Sequence, residues 1–184
     1  ENWQRPRKEV DLLIDLFIPS LQSEVHDLHK NNIKLNFIGE LTKFSDTLRK
    51  SMKESELLTY NNSGLTLNVA LNYSGRWDIH RALLSIINEV QSKKITIDEI
   101  NEKLINSKLS LAENHEPDLF IRTGGEKRIS NYLLWQLAYT EMYFTDILWP
   151  DFDINQFDLA LDWFAKRQRR FGKTSAQIEN DQNA

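Results

Sequence analysis

The sequence has no cysteine in its 184 residues. That absence excludes a disulfide-stapled scaffold, a thiol nucleophile, an iron–sulfur centre and a cysteine-ligated zinc site, and it favours a reducing, cytoplasmic setting. Glycine and proline are scarce, at 6 and 4 residues, which excludes collagen-like and low-complexity chains. No apolar run approaches the ~18–20 residues that cross a bilayer. No basic stretch followed by an apolar one opens the chain, so no secretory leader is expected. A Ser/His/Asp order, a P-loop and a G-x-G-x-x-G fingerprint are also missing. The histidines show one i,i+3 pair, His26 and His29, with His80 and His115 apart, and none has metal-ligand spacing.

What is present describes a folded α/β chain. Hydrophobic residues make up 40% and charged residues 27%, enough to build a core within one domain. Helical and strand periodicities alternate. Pro6 suits a helix start, and Val10, Leu13, Ile14, Phe17, Ile18, Leu21, Val25 and Leu28 predict a helix reaching about His29 with a kink at Pro19. Residues 33–38 alternate as a strand and 45–60 read as a helix capped by Ser45 or Asp46. A second strand is expected over 65–71 and a helix over 77–90, with Ile79, Leu83, Leu84, Ile86 and Ile87 facing the core. A short helix over 98–106 and a third strand over 118–122 follow. Helix over 129–138, extended chain over 141–144, helix over 157–170 and a flexible end complete the pattern. Strands separated by helices predict a single layered α/β domain with a mostly parallel central sheet flanked by helices.

In such sheets ligands gather beyond the carboxyl ends of the strands. There Arg122 ends a strand, Gly124-Gly125 permit close backbone approach, and Arg128 and Ser130 stand at an expected helix start. Two guanidiniums and helix N–H groups suit phosphate oxygens, so an anion site for diphosphate is the functional reading, against a plain glycine turn with surface arginines. The opening Glu1-Asn2-Trp3-Gln4-Arg5-Pro6 could cover a phosphate-bearing ligand or be an ordinary capped loop. Five of the eight residues 166–173 are basic. A net charge of −4, from 23 basic and 27 acidic residues, and the lack of an aromatic platform argue against nucleic acid, leaving a solvated helix end or the completion of a phosphate site. Glu141 or Asp146 could contribute a carboxylate to Mg²⁺.

Several motifs, in order over residues 1–172, resemble the cis-prenyltransferases and most closely their bacterial undecaprenyl diphosphate synthases. They are Glu1-Asn2-Trp3-x-Arg5-Pro6, Leu65-Thr66-Leu67-Asn68-Val69-Ala70, Asn72-Tyr73-x-Gly75-Arg76-Trp77-Asp78-Ile79, Asp118-Leu119-x-Ile121-Arg122-Thr123-Gly124-Gly125-Glu126-x-Arg128-Ile129-Ser130-Asn131 and Arg170-Phe171-Gly172. The resemblance implies one catalytic domain over 1–172 with 173–184 a flexible tail. It implies a Mg²⁺-dependent homodimer that adds isopentenyl diphosphate units in cis to an allylic diphosphate, typically farnesyl diphosphate, to make the undecaprenyl lipid carrier of the cell wall. Nucleic acid has no part in it, and peripheral membrane association would serve product release.

By the same resemblance Arg122, Arg128 and Ser130 hold the isopentenyl diphosphate head group. Asn2 assists proton removal or orients the diphosphates, Trp3 and Arg5 belong to a substrate-covering segment with Glu9 in its hinge, and Leu65 lines the product tunnel. Glu141 is the metal-associated carboxylate, and Arg170 and Gly172 reach the partner's active site. The family's Asp-Gly-Asn-Gly-Arg segment, with its Mg²⁺-binding Asp, does not occur here. Because the chain opens without methionine, an upstream segment carrying it is expected. The alternative is a non-catalytic subunit of a heterodimer. Such partners lose the Arg-Thr-Gly-Gly-x-x-Arg set, whereas this chain has it.

Overall fold

Helical side chains cap the free edge of the first parallel strand, and that detail organises the first half of the fold. The computed structural model describes residues 23–167. The chain divides into two compact units, Glu1–Glu113 and Asn114–Ala184.

In the first unit, α1 is described over residues 23–30. β1 (Lys34–Ile38) pairs in parallel with β2 (Thr66–Ala70), Lys34 opposite Thr66 and Ile38 opposite Ala70. α2 (Asp46–Thr59) connects them. The Ser45 hydroxyl caps α2 by accepting from the Leu48 N–H at 3.3 Å, and Asp46 complements the positive helix end. Leu48, Met52, Ser55 and Thr59 form its buried stripe at helical spacing. Leu48 and Met52 pack with Val25, Leu35 and Phe37 into the core. Two α2 side chains also accept from β1: Thr59 Oγ1 from the Leu35 N–H at 3.0 Å, and a Glu56 carboxylate oxygen from the Phe37 N–H at 2.8 Å. These amides would otherwise be an unpaired strand edge.

α3 (Gly75–Gln91) and α4 (Glu102–Lys108) pack together, with Ser74 and Asn101 as their N-caps. A 3₁₀ turn, Ile97–Glu99, precedes α4. Leu83, Leu84 and Ile87 are exposed, contrary to the expected core face. Ile86 is buried as expected, and the buried stripe runs through Gly75, Asp78, Ala82 and Ile86. Its centre is the Asp78 carboxylate, which accepts from the Tyr73 hydroxyl, from Arg81, and from the N–H and hydroxyl of Ser110.

In the second unit β3 (Leu119–Arg122) pairs in parallel with β4 (Glu141–Phe144), Leu119 opposite Glu141 and Arg122 opposite Phe144. α5 (Ile154–Ala165) packs on β4 and is capped by Asp153, which accepts from the Gln156 N–H at 3.0 Å. The α/β class and the parallel pairing agree with the sequence pattern, and among the described residues the pairing takes the form of two two-stranded sheets. The helix expected over 129–138 is absent; this stretch is a series of turns and bends. Ser130, Asn131 and Leu133 have φ of 45°, 60° and 43°, left-handed backbone that a right-handed helix cannot contain. α5 also stops at Ala165, short of the expected end, and residues 168–170 lie outside the described range.

Candidate active site

β3 delivers Arg122 at its carboxyl end, and the following turn folds back onto that side chain. Arg122 Nη1 donates to Ser130 Oγ at 2.9 Å and to the Arg128 carbonyl. A single guanidinium therefore gathers two of the residues singled out with it. Arg128 in turn pairs with Glu126, and both are largely exposed. Glu126 was not legible as a site residue; the only signal was a carboxylate two positions before an arginine in the same loop. Phe120 and Tyr132 pack with ring centroids 6.5 Å apart, which seats the irregular segment against β3, and burial pushes the Tyr132 phenol up.

The glycines shape the turn after β3. Gly124 and Gly125 have φ of 81° and 76°, so both need the left-handed freedom of glycine. Their amides do not point to a ligand: the Gly124 N–H donates to the Ile147 carbonyl at 2.8 Å and the Gly125 N–H to the Thr145 carbonyl at 2.9 Å. With no helix starting at Ile129, the helix N–H groups expected to face an anion are also missing. The donors that remain in this segment are the two guanidiniums and the Ser130 hydroxyl, groups of the kind that form hydrogen bonds with phosphate oxygens.

Glu141 opens β4, its N–H donating to the Asp118 carbonyl at 3.1 Å. Its side chain is 28% exposed and lies 3.7 Å from Arg167 Nε. Asp146 is exposed, beside Gly125, where an added Cβ would sit 3.2 Å from its Oδ1. No group of three or more potential ligands that could hold a metal occurs among the described residues. The donor set nonetheless fits Mg²⁺, which favours one or two carboxylates and takes its remaining oxygens from water and substrate phosphates. Arg167 is the cation that faces this carboxylate among the described residues.

Leu65, just ahead of β2, is 67% exposed and accepts at its carbonyl from the Lys34 N–H at 2.8 Å. Asn2, Trp3, Arg5, Glu9, Arg170 and Gly172 lie outside the described residues. No helix among the described residues is long and apolar enough to cross a membrane.

A prenyltransferase family model, described as "Putative undecaprenyl diphosphate synthase", matches residues 1–172. The chain is 52% identical over 175 residues to the (2E,6E)-farnesyl-diphosphate-specific ditrans,polycis-undecaprenyl-diphosphate synthase of Yersinia pseudotuberculosis, covering 95% of this chain and 69% of that one. It is 50% identical over 174 residues to the Escherichia coli K12 enzyme of the same name, with 95% and 69% covered. Among solved structures, lavandulyl diphosphate synthase from Lavandula x intermedia in complex with dimethylallyl diphosphate superposes with a TM-score of 0.90 at 34% identity, covering 94% of this chain and 75% of that one. A Campylobacter jejuni protein described as a probable undecaprenyl diphosphate synthase superposes with a TM-score of 0.82 at 35% identity, covering 94% and 78%. With a family model spanning nearly all of its length and relatives at half identity, the chain belongs to the undecaprenyl diphosphate synthase family of cis-prenyltransferases.

Proposed function

We propose that this chain condenses isopentenyl diphosphate successively, in cis, onto farnesyl diphosphate to make undecaprenyl diphosphate, working as a homodimer with Mg²⁺. The observation that carries the reading is the clamp in which Arg122 holds Ser130 and the Arg128 backbone at the end of β3. The names of the Yersinia and Escherichia relatives support the choice of starter and product.

In each cycle the bond between the allylic carbon and its diphosphate oxygen breaks, and the diphosphate leaves with the electron pair. The alkene of isopentenyl diphosphate forms the new carbon–carbon bond, and loss of a proton from the adjacent carbon restores a double bond. Arg122, Arg128 and Ser130 hold the isopentenyl head group, which fixes the alkene beside its target; positioning of this kind lowers a bimolecular barrier. Glu126 must yield Arg128 to the incoming diphosphate, because one guanidinium face cannot serve both anions fully.

Asn2 orients the diphosphates or assists proton removal, and Trp3 and Arg5 cover the substrates. Glu141 would help to hold Mg²⁺, which when bound would supply positive charge to the leaving diphosphate. Arg170 and Gly172 complete the partner's site, and the dimer forms around residues 141–149. Leu65 belongs to the tunnel, where burial of the growing tail stabilises it by roughly 25 cal/mol per Å². Residues 1–172 make the catalytic domain, with 173–184 a tail beyond it. The protein works in the cytoplasm and meets the membrane peripherally when the product leaves.

The test is incorporation of labelled isopentenyl diphosphate by the intact protein with farnesyl diphosphate and Mg²⁺. Long chains with cis double bonds are expected. A folded protein that incorporates nothing contradicts the reading.

A further inference from the structure

Glu141 and Tyr143 stand two residues apart in β4 and so share one face of the strand. Trp163 lies in the last turn of α5, and Arg167 follows two residues past its end, where its side chain lies over the Trp163 ring. The two pairs meet in matching order. The Tyr143 and Trp163 rings pack edge to face, centroids 5.4 Å apart and planes at 62°. The Arg167 guanidinium carbon lies 4.2 Å from the Trp163 ring centroid, and its Nε lies 3.7 Å from Glu141 Oε2. The Arg167 N–H also donates to the Phe164 carbonyl at 2.9 Å, which fixes its backbone at the helix end.

A guanidinium stacked on an indole is oriented before it meets any carboxylate, so little side-chain freedom is lost in holding it there. Its attachment to Glu141 is looser. At 3.7 Å the contact is an ion pair rather than a hydrogen bond, and both side chains keep water, being 48% and 28% exposed. Exposed pairs of this kind are weak, and a small divalent ion can compete for the carboxylate.

We propose that Arg167 is a positioning residue, a built-in counter-cation that orients the Glu141 carboxylate and sets its affinity for a divalent ion. The proposal rests on the reading of Glu141 as a metal ligand. An ion approaching Glu141 alone meets the guanidinium charge as repulsion. An ion arriving with diphosphate brings negative charge that offsets that repulsion. Arg167 therefore makes metal loading at Glu141 depend on the presence of diphosphate, so that the ion enters with substrate.

Mn²⁺ binding to the intact protein, followed by electron paramagnetic resonance with and without inorganic diphosphate, tests this without reference to turnover; Mn²⁺ shares the oxygen preference of Mg²⁺. Arg167→Gln is expected to tighten Mn²⁺ binding without diphosphate by about two- to fivefold, the scale of an exposed ion pair, and to shrink the enhancement that diphosphate gives. Arg167→Lys, which keeps the charge but not the planar stack on Trp163, is expected to fall between wild type and Arg167→Gln. Glu141→Gln is expected to weaken Mn²⁺ binding and to abolish the effect of Arg167→Gln in the double variant. Unchanged or weaker binding in Arg167→Gln overturns the proposal, as does an Arg167→Lys variant that behaves like Arg167→Gln. If Glu141→Gln alone leaves Mn²⁺ binding unaltered, or no variant binds Mn²⁺ measurably, the reading of Glu141 as a ligand falls with it.

Discussion

Replacing Asp78 by alanine should be among the most damaging single changes in the first unit. The carboxylate is fully buried. It accepts from the Tyr73 hydroxyl at 3.0 Å, from Arg81 Nη2 at 3.0 Å, from the Ser110 hydroxyl at 2.7 Å, and from the Ser110 N–H at 3.0 and 3.1 Å through its two oxygens. Arg81 also donates to the Lys108 carbonyl at 2.7 Å, so the end of α4 is tied to α3 by the same cluster. Removing the carboxylate takes the acceptor from four donors, at ~1–3 kcal/mol for each one that stays buried and unpaired. The Arg81 side chain is partly exposed and regains water, and the hydroxyls can rotate toward other acceptors. The net loss is therefore placed at about 3–5 kcal/mol, the range for breaking a buried charged pair. With a urea dependence of ~2 kcal/mol per molar, the unfolding midpoint should fall by roughly 1.5–2.5 M. Asp78→Asn should lose somewhat less, since it keeps one acceptor but turns an NH₂ toward donors. Combining Asp78→Ala with Ser110→Ala should show a coupling of about 1–2 kcal/mol. A loss under about 0.5 kcal/mol in Asp78→Ala, or strict additivity with Ser110→Ala, would refute the reasoning.

Other changes probe other parts of the fold and site. Gly39→Ala should destabilise by about 3 kcal/mol or more in the same urea experiment, because φ is +122° and the new Cβ would lie 1.9 Å from the Leu71 carbonyl oxygen. A midpoint equal to wild type would show that the β1 and β2 ends do not approach so closely. The Asp153 carboxyl is held below its usual 3.8 first by the Gln156 N–H and then by Asn155. Its contribution is present above that unfolded value and disappears as pH falls through the lower folded one. Asp153→Ala should thus be less stable than wild type at neutral pH, with the difference closing at the acid end of a thermal-melting series; a difference independent of pH would contradict the cap. Leu65→Ala should lengthen the polyprenyl products resolved by chromatography, and an unchanged chain-length distribution would remove Leu65 from the tunnel.

Much of this fold could be read from local pattern. The Ser45 cap, the alternation of residues 33–38 and the strand ending at Arg122 are local signals, and all appear in the structure. The expected helix over 129–138 fails because apolar spacing does not report φ: Ser130, Asn131 and Leu133 adopt left-handed backbone while the loop wraps Arg122. Leu83, Leu84 and Ile87 mark an apolar side of α3, but its buried side follows Asp78, whose partners at Ser110 lie 32 residues away and carry no sequence signal. At the site, Arg122, Arg128 and Ser130 were legible as a group and do meet. The carbonyls that take the Gly124 and Gly125 amides belong to the stretch following β4, so this pairing could not be read from the glycines themselves. Arg167 stood out only as one cation in a basic run; its place depends on Trp163 one turn earlier and on Glu141 in a distant strand.

The central claim is that the clamp at the end of β3 is the seat of the isopentenyl diphosphate head group. Steady-state kinetics of Arg122→Ala, with each substrate varied in turn, tests it most directly. Loss of a charge-assisted contact of ~1.5–3 kcal/mol should raise the KM for isopentenyl diphosphate about tenfold or more while the KM for farnesyl diphosphate stays within about twofold. Unchanged KM for isopentenyl diphosphate, or a rise confined to farnesyl diphosphate, would contradict the account.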